Sequence, residues 1–181
     1  MYKKNIIIVV SILLFSLSYG QSASKLTASA YAAEATNLLN IDEGKIYYLT
    51  DNSGSIGENY AKNGFSFLTF INGKQSANVK VIQNTCGISD ITKKVVEDNL
   101  SKPNQFKDLI FKNLLSRKKL EDDGSKIIAV LFYKKEFVPL LGDYVKELKR
   151  LEKNEGIPFI VLTLDGKNAI KGIDDIADQL F

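Results

Sequence analysis

The chain has 181 residues, of which 45% are hydrophobic and 25% charged, the composition of an ordinary globular protein with a sizeable core. It contains no histidine, which excludes Ser-His-Asp and Cys-His catalysis and His-ligated zinc, and its single cysteine, Cys86, excludes an intrachain disulfide. The net charge is +3; two of the 24 basic residues, Lys3 and Lys4, stand at the N-terminus, and the other 22 nearly balance 21 acidic ones, so no nucleic-acid partner is predicted.

The N-terminus has the three parts of a secretory signal peptide. Two lysines precede the apolar run Ile6–Leu17, and the small residues Ser18 and Gly20 suit cleavage before Gln21. The rival interpretation is an uncleaved membrane anchor, but the run of 12 residues is shorter than the roughly 20 that span a bilayer. Residues 1–20 are therefore predicted to be a signal peptide. The mature protein is expected to be exported, periplasmic or extracellular, without stable membrane insertion.

Residues 21–44 are predicted to form a leader followed by a short helix. Apolar side chains recur at helical spacing through Ala30–Asn40, and the apolar run Lys45–Thr50 then predicts the first strand. The stretch Glu58–Asn72 is ambiguous, because a capping pattern before it favours a helix, whereas its alternation and the turn signal Asn72-Gly73 favour a hairpin strand. Val79–Gln83 is predicted to be the next strand.

The second half of the chain alternates predicted helices with apolar strands. The predicted helices are Ile91–Leu100, Gln105–Leu120, Phe137–Asn154 and the amphipathic Ala169–Phe181, and the predicted strands are Ile127–Tyr133 and Ile157–Leu164. Gly156 is expected at the C′ position of the third helix. The alternation predicts one α/β domain over residues 45–181, with a mostly parallel sheet flanked by helices on both faces.

Ligands of such sheets bind at the carboxyl ends of the strands. The segment Asp51-Asn-Ser-Gly-Ser-Ile-Gly57 directly follows the first predicted strand, so it lies where a site is expected. It presents one carboxylate and two hydroxyls within a single turn, and these hard oxygen donors are the type that Mg²⁺ prefers. The alternative is an ordinary turn, since Asp, Asn, Ser and Gly are common loop formers.

The segment resembles the start of the metal-ion-dependent adhesion site (MIDAS) of von Willebrand factor A (vWA) domains. The resemblance continues through Glu58-Asn-Tyr60 into a first helix, then through the strand Val79–Gln83. It includes the glycine-led loop Gly87–Val95, where Ser89 occupies the position of the family's usual threonine. It covers roughly residues 45–181 and implies a trimmed vWA-like (Rossmann-like) fold.

The resemblance implies a Mg²⁺ ion bound directly by Ser53 and Ser55, through water by Asp51, and by Ser89 from the loop. Few anionic ligands would leave the ion electron-poor, so an acidic side chain of a protein partner would complete its octahedron. The family's second aspartate would follow the central strand, but this chain has Lys134 there. Two like unit charges repel by on the order of 4 kcal/mol at about 4 Å and an effective dielectric of about 20, and a lysine and a divalent cation by about twice that, so the implied site is degenerate.

Two functions are expected from these features. The first is an exported, non-enzymatic protein-binding module of the cell-adhesion type, with a degenerate Mg-dependent site. The alternative is an exported thioredoxin-like scaffold or assembly factor of a secretion or conjugation apparatus, motivated by the strand–helix–strand stretch Lys126–Leu164. It would lack redox activity, because Cys86 has no Cys-x-x-Cys partner. A helix over 58–71 favours the vWA interpretation, whereas an antiparallel hairpin over Phe65–Ile82 favours the alternative.

Overall fold

A computed structural model describes residues 25–50, 66–78, 91–104, 106, 109–122 and 124–177. Within these ranges the strands and α-helices, in chain order, are β1 (Leu26–Thr27), α1 (Ala28–Leu39), β2 (Ile46–Leu49), β3 (Leu68–Asn72), β4 (Gln75–Asn78), α2 (Lys93–Asn99), β5 (Lys102–Pro103), β6 (Phe111–Asn113), β7 (Ile128–Tyr133), α3 (Val138–Glu155), β8 (Phe159–Thr163) and β9 (Ile170–Lys171). None of the helices in this part of the chain has the length and apolar character needed to cross a bilayer.

Seven of the strands form one mixed sheet in the order β5-β4-β3-β7-β8-β2-β6. The neighbours β7 and β8, and β8 and β2, are parallel, whereas the other four neighbouring pairs are antiparallel. A separate parallel pair joins β1 to β9. The predicted α/β class is confirmed. A mostly parallel sheet is not confirmed, because only two of the six neighbouring pairs in the sheet are parallel.

The described helices pack on one face of the sheet. The first core cluster combines side chains of α1, α2 and α3, such as Val96 and Leu148, with Leu131 and the other strand residues of that face. The alternate strand residues, such as Val130, form a second cluster, which is completed by Phe106 and other residues outside the helices. Helices on both faces are therefore not confirmed within the described ranges.

The central strands form because their side chains are apolar on both faces. All six residues of β7 are buried, and so are all five of β8. Each large apolar side chain removed from water contributes about 1.5–3 kcal/mol, so these strands belong in the middle of the sheet. The predicted strands Lys45–Thr50, Ile127–Tyr133 and Ile157–Leu164 are confirmed as β2, β7 and β8.

The helices predicted over Ile91–Leu100 and Phe137–Asn154 are confirmed as α2 and α3. The Thr92 hydroxyl caps α2 by accepting a hydrogen bond from Val95 N at 3.2 Å. Gly156 ends α3 with φ +67°, a left-handed conformation that favours glycine, as expected for the C′ position.

The ambiguous stretch Glu58–Asn72 is a strand over its last five residues, Leu68–Asn72. This strand pairs antiparallel with β4, and Gly73 has φ +52° in the turn between them, so the hairpin signal at Asn72-Gly73 is confirmed. A Cβ atom on Gly73 would lie 2.8 Å from the Cα atom of Gly124 in the facing turn. Most of Glu58–Asn72 before the strand, and the predicted strand Val79–Gln83, lie outside the described residues.

The predicted helix Gln105–Leu120 is wrong over its described residues, 106 and 109–120. Phe111–Asn113 instead forms β6, an edge strand antiparallel to β2, and the chain reverses so that Leu120 N donates to Phe111 O at 2.8 Å. Phe111 packs in the second core cluster and Leu114 in the first. One apolar helix face cannot contact both sides of a sheet, so the passage of the chain around the sheet edge overrides the helical spacing.

The predicted helix Ala169–Phe181 is wrong over its described part, 169–177. Ile170–Lys171 forms β9 and pairs with β1, and Gly172 then adopts φ +80°, which is unlike a helix. Ile176 forms an antiparallel bridge with Thr50, just after β2. This segment is therefore held by strand contacts with two distant parts of the chain.

The helix predicted over Ala30–Asn40 is confirmed as α1, and it shares the first core cluster with the sheet. The Thr27 hydroxyl caps α1 by accepting a hydrogen bond from Ala30 N at 3.2 Å. Leu26–Thr27, within the segment predicted to be a leader, forms β1 beside β9. The helix and Leu26 before it thus pack in the first core cluster.

Candidate functional site

The carboxyl ends of β7, β8 and β2 meet at one edge of the sheet because these strands are parallel. β7 ends at Tyr133, which pairs with Thr163 at the end of β8, and Thr50 follows β2. A cleft of about 570 Å³ opens at the ends of β7 and β8, and α1 contributes Tyr31 and Glu34 to its wall. This is the edge at which the sequence predicts a ligand site.

Three hydrogen-bonded side chains connect α1 to the end of β8. Tyr31 Oη donates to Asp165 Oδ2 at 2.6 Å and lies 2.6 Å from Thr163 Oγ1. Because a phenol has only one proton, the Thr163 hydroxyl is the donor in this second bond. Asp165 N donates to Thr163 Oγ1 at 3.0 Å. The proton donors therefore run from Thr163 to Tyr31 to Asp165, and they hold the carboxylate in one position beside the cleft.

Burial controls the titration of this hydrogen-bonded chain. It raises the pKa of Tyr31 well above its usual value, and the negative charge of Asp165 raises it further, so the phenol keeps its proton. Burial also raises the pKa of Asp165, while the hydrogen bond from Tyr31 lowers it. The charge of Glu136 raises this pKa and the charge of Lys134 lowers it. The ionised state of Asp165 therefore depends on the Tyr31 hydroxyl.

Tyr133 lies at the floor of the cleft. It is only 1% exposed, and its ring packs edge-on against Tyr31, with the centroids 6.1 Å apart and the planes at 80°. Burial, followed by the negative charges of Asp165, Glu34 and Glu136, raises the pKa of Tyr133 to about 12. Among the described residues, its phenol has no hydrogen-bond partner. The described part of the chain therefore supplies no hydrogen-bond partner for this neutral hydroxyl.

The rim of the cleft carries charges of both signs. Lys135 forms an ion pair with Glu34 of α1, which connects the two walls. Lys134 Nζ lies 4.0 Å from Glu136 Oε2, and the Glu136 side chain remains 69% exposed. Exposed pairs of this kind contribute only about 0–1 kcal/mol to stability, so their main effect is to arrange charge around the opening.

The predicted metal ligands Asp51, Ser53, Ser55 and Ser89 lie outside the described residues, and their arrangement stays a prediction. Lys134, at which the chain departs from the vWA pattern, does lie in the cleft wall. Within the described ranges, no group of three acidic or cysteine side chains is suited to hold a metal ion. That finding does not bear on a site formed by residues outside those ranges.

Tyr31, Thr163 and Asp165 were not predicted as site residues. A signal for Asp165 was present, because it directly follows the predicted strand Ile157–Leu164, the same placement that singles out Asp51. Nothing in the sequence distinguishes Tyr31 from the other residues of an apolar helix face. Its hydrogen bond to Thr163 spans 132 positions of the chain and is formed only in the folded protein.

No family model matches the chain, and no curated protein or solved structure matches it either. The vWA resemblance therefore depends on the sequence motif and its placement alone. The vWA interpretation and the thioredoxin-like alternative both stay predictions.

Proposed function

We propose that the protein is an exported, non-enzymatic protein-binding module whose binding surface is the carboxyl-terminal edge of β7, β8 and β2. The cleft at this edge is the observation that supports the proposal. Its walls are connected by the Tyr31–Asp165 hydrogen bond, which holds them in position before a partner binds, and the exposed Lys135–Glu34 ion pair arranges charge at the opening. A concave site with a few fixed polar groups and a charged rim suits recognition of a protein side chain.

Site-specific photocrosslinking tests this proposal. A benzoyl-phenylalanine placed at Glu136, on the rim, is expected to crosslink the chain to a partner protein in the producing cells. The matched control is the same residue at Glu97 on α2, whose side chain is 53% exposed and lies 3.9 Å from Lys93. Glu97 belongs to a pocket that includes Gly156 and Ile157, at the opposite, amino end of β8. No adduct from position 136, or equal adducts from both positions, would contradict the proposal.

The adhesion-type form of the proposal includes a Mg²⁺ ion held by Asp51, Ser53, Ser55 and Ser89. It also includes the vWA-like architecture predicted from the sequence, in which helices cover the second face of the sheet as well. Support comes from β2, the strand that the motif follows in sequence, because β2 ends at the same edge as the cleft. The ion would take a carboxylate of the partner as its remaining ligand.

Thermal melting in the presence of Mg²⁺ or Mn²⁺ tests the metal part. The Tm of the unmodified chain is expected to rise with cation concentration, because an ion that binds only the folded state stabilises it. The double variant Asp51→Ala, Ser53→Ala should show no rise, whereas the control Asp98→Ala on α2 should behave like the unmodified chain. Equal Tm shifts in all three proteins would exclude the predicted metal ligands. The protein-binding proposal would be unaffected.

The second candidate function is a thioredoxin-like scaffold or assembly factor of a secretion or conjugation apparatus. It is favoured by the antiparallel hairpin β3–β4, which lies beside the parallel β7–α3–β8 unit in the sheet. This candidate lacks redox activity, so the chain should not reduce insulin in the presence of dithiothreitol faster than its Cys86→Ser variant. A Cys86-dependent rate would exclude a purely structural role.

Export is tested by the mass of the protein recovered outside the cytoplasm. A chain that begins at Gln21 is expected if residues 1–20 are a cleaved signal peptide. Full-length protein in the membrane fraction would favour the uncleaved anchor instead.

A further inference from the structure

We propose that the cleft receives a basic side chain, lysine or arginine, of the partner protein. This inference rests on the proposed protein-binding function and names the chemical group that the site recognises. It differs from the acidic partner group that the vWA resemblance implies, because it is argued from the side chains around the cleft.

The unsatisfied hydroxyl of Tyr133 is the first observation. This residue is 1% exposed at the floor of the cleft and has no hydrogen-bond partner within the described residues. Buried hydroxyl groups are normally hydrogen-bonded, because burial removes their water without replacing it. A ligand that extends a hydrogen-bond donor to the floor would satisfy the phenol oxygen.

The balance of charge is the second observation. The cleft contains three carboxylates, of Glu34, Glu136 and Asp165, against the two ammonium groups of Lys134 and Lys135. One negative charge is left over when all five groups are ionised. The carboxylates act on the same point, because each of them raises the pKa of Tyr133. A cationic group at the floor is therefore attracted, and a carboxylate is repelled.

The spacing of the acidic groups favours an organic cation over a metal ion as the ligand of the cleft. Within the described part of the chain, no three such groups lie close enough to share one metal ion. A guanidinium group carries five N–H donors in a plane, and an ammonium group carries three on a flexible stem. Either carries the positive charge and the N–H donors that suit Asp165 and the Tyr133 phenol, both of which line the cleft. Glu136 at the rim would add its charge from the opening.

Small amides of single amino acids provide a direct probe of the cleft. Acetyl-arginine amide would be titrated into the full-length chain carrying ¹³C at the ring Cζ of tyrosine, and the Tyr133 signal assigned with Tyr133→Phe. Acetyl-citrulline amide has nearly the same shape without the charge, and acetyl-glutamate amide has the opposite charge. Arginine amide is expected to shift the Tyr133 signal in a saturable way, whereas the other two should not.

Matched variants test whether the rim charge contributes. Glu136→Gln should raise the dissociation constant for arginine amide about threefold, the size expected for an exposed ion pair. The control Glu97→Gln removes a comparably exposed glutamate, also about 4 Å from a lysine, at the opposite edge of the sheet. Its dissociation constant should equal that of the unmodified chain.

Equal shifts with arginine and citrulline amides, a shift with glutamate amide, or no saturable shift at all would overturn the basic-group proposal. These outcomes are separable from failure of the proposed function. If photocrosslinking at Glu136 still captures a partner but arginine amide does not bind, the protein-binding proposal survives and this inference fails. If arginine amide binds but no partner is crosslinked at the rim, the cleft is a cation site and the protein-binding proposal fails.

Discussion

The hydrogen-bonded chain from Thr163 through Tyr31 to Asp165 predicts a large effect of removing a single oxygen atom. Tyr31→Phe keeps the ring, which is buried and packs against Tyr133, and deletes both hydrogen bonds of the phenol. The change therefore isolates the contribution of the hydroxyl from that of apolar burial.

The expected magnitude follows from the two bonds that are lost. The bond to the Asp165 carboxylate is charge-assisted and contributes about 1.5–3 kcal/mol, and the neutral bond to Thr163 contributes about 1 kcal/mol. Two factors reduce the sum: Thr163 keeps the bond from Asp165 N, and water reaches the partly exposed Asp165. We expect Tyr31→Phe to lower the free energy of unfolding by about 2–3 kcal/mol at pH 7.

The loss should also depend on pH. The hydrogen bond from Tyr31 lowers the pKa of Asp165, so Tyr31→Phe raises that pKa further above the value of the unfolded chain. A carboxyl group whose folded pKa is raised binds more protons in the folded state, so its folded state loses stability as pH rises through that pKa. The variant should therefore differ most from the unmodified chain at neutral pH and least in acid, below the pKa of Asp165.

Urea unfolding at pH 7 and in acid measures both effects, with Tyr47→Phe as the control for loss of a partly exposed phenol. A double-mutant cycle with Asp165→Asn should give a coupling energy of about 1–2 kcal/mol. A loss below about 0.5 kcal/mol for Tyr31→Phe, equal to the control, would refute the reasoning, since surface changes have effects of that size.

Three further predictions concern other parts of the fold, each measured by urea unfolding. Gly73→Ala should cost about 2–4 kcal/mol, because the residue has positive φ and its Cβ would lie 2.8 Å from a facing backbone atom, whereas Gly142→Ala in open helical space should stabilise by about 0.5–1 kcal/mol. Equal effects of the two would contradict the close contact between the turns at Gly73 and Gly124. Tyr133→Phe should reduce the loss of stability between pH 10 and 12, where the unfolded tyrosine ionises and the folded one, with a pKa of about 12, does not. Tyr133 accounts for at most about 1.4 kcal/mol of this loss per pH unit. Superimposable stability profiles of the variant and the unmodified chain would exclude a contribution from Tyr133. Glu147→Gln should cost about 1–3 kcal/mol, because the buried carboxylate accepts two hydrogen bonds from Arg150, at 2.6 and 2.9 Å; an unchanged midpoint would argue against that pair.

Elements for which one physical cause dominates are predicted correctly from the sequence. The short apolar runs of β7 and β8 favour buried strands, and Asn72-Gly73 favours a tight turn through its own backbone preferences. The helix α3 likewise follows from its own amphipathic pattern and from Gly156 at its end. Such elements are encoded locally, so tertiary contacts reinforce the prediction.

The errors occur where the chain crosses from one side of the sheet to the other. The segments 105–120 and 169–177 have apolar residues at helical spacing, yet both supply side chains to the two core clusters. A periodicity argument assumes that all apolar residues of a segment face one core. That assumption fails at the edge strand β6, which is held by its pairing with β2.

The sequence by itself determined the α/β class, the central strands, the absence of histidine chemistry and the edge of the sheet where polar residues follow strands. It also supplied the Asp51–Ser55 motif, whose metal site stays a prediction. Only the tertiary structure decided that antiparallel neighbours outnumber parallel ones among the described strands of the sheet, and that Tyr31 bonds to Asp165 beside the cleft. The physical reason is one of range. Turn preferences act on neighbouring residues, whereas most strand pairs join residues tens of positions apart and the Tyr31 hydrogen bonds at the cleft join residues more than a hundred positions apart.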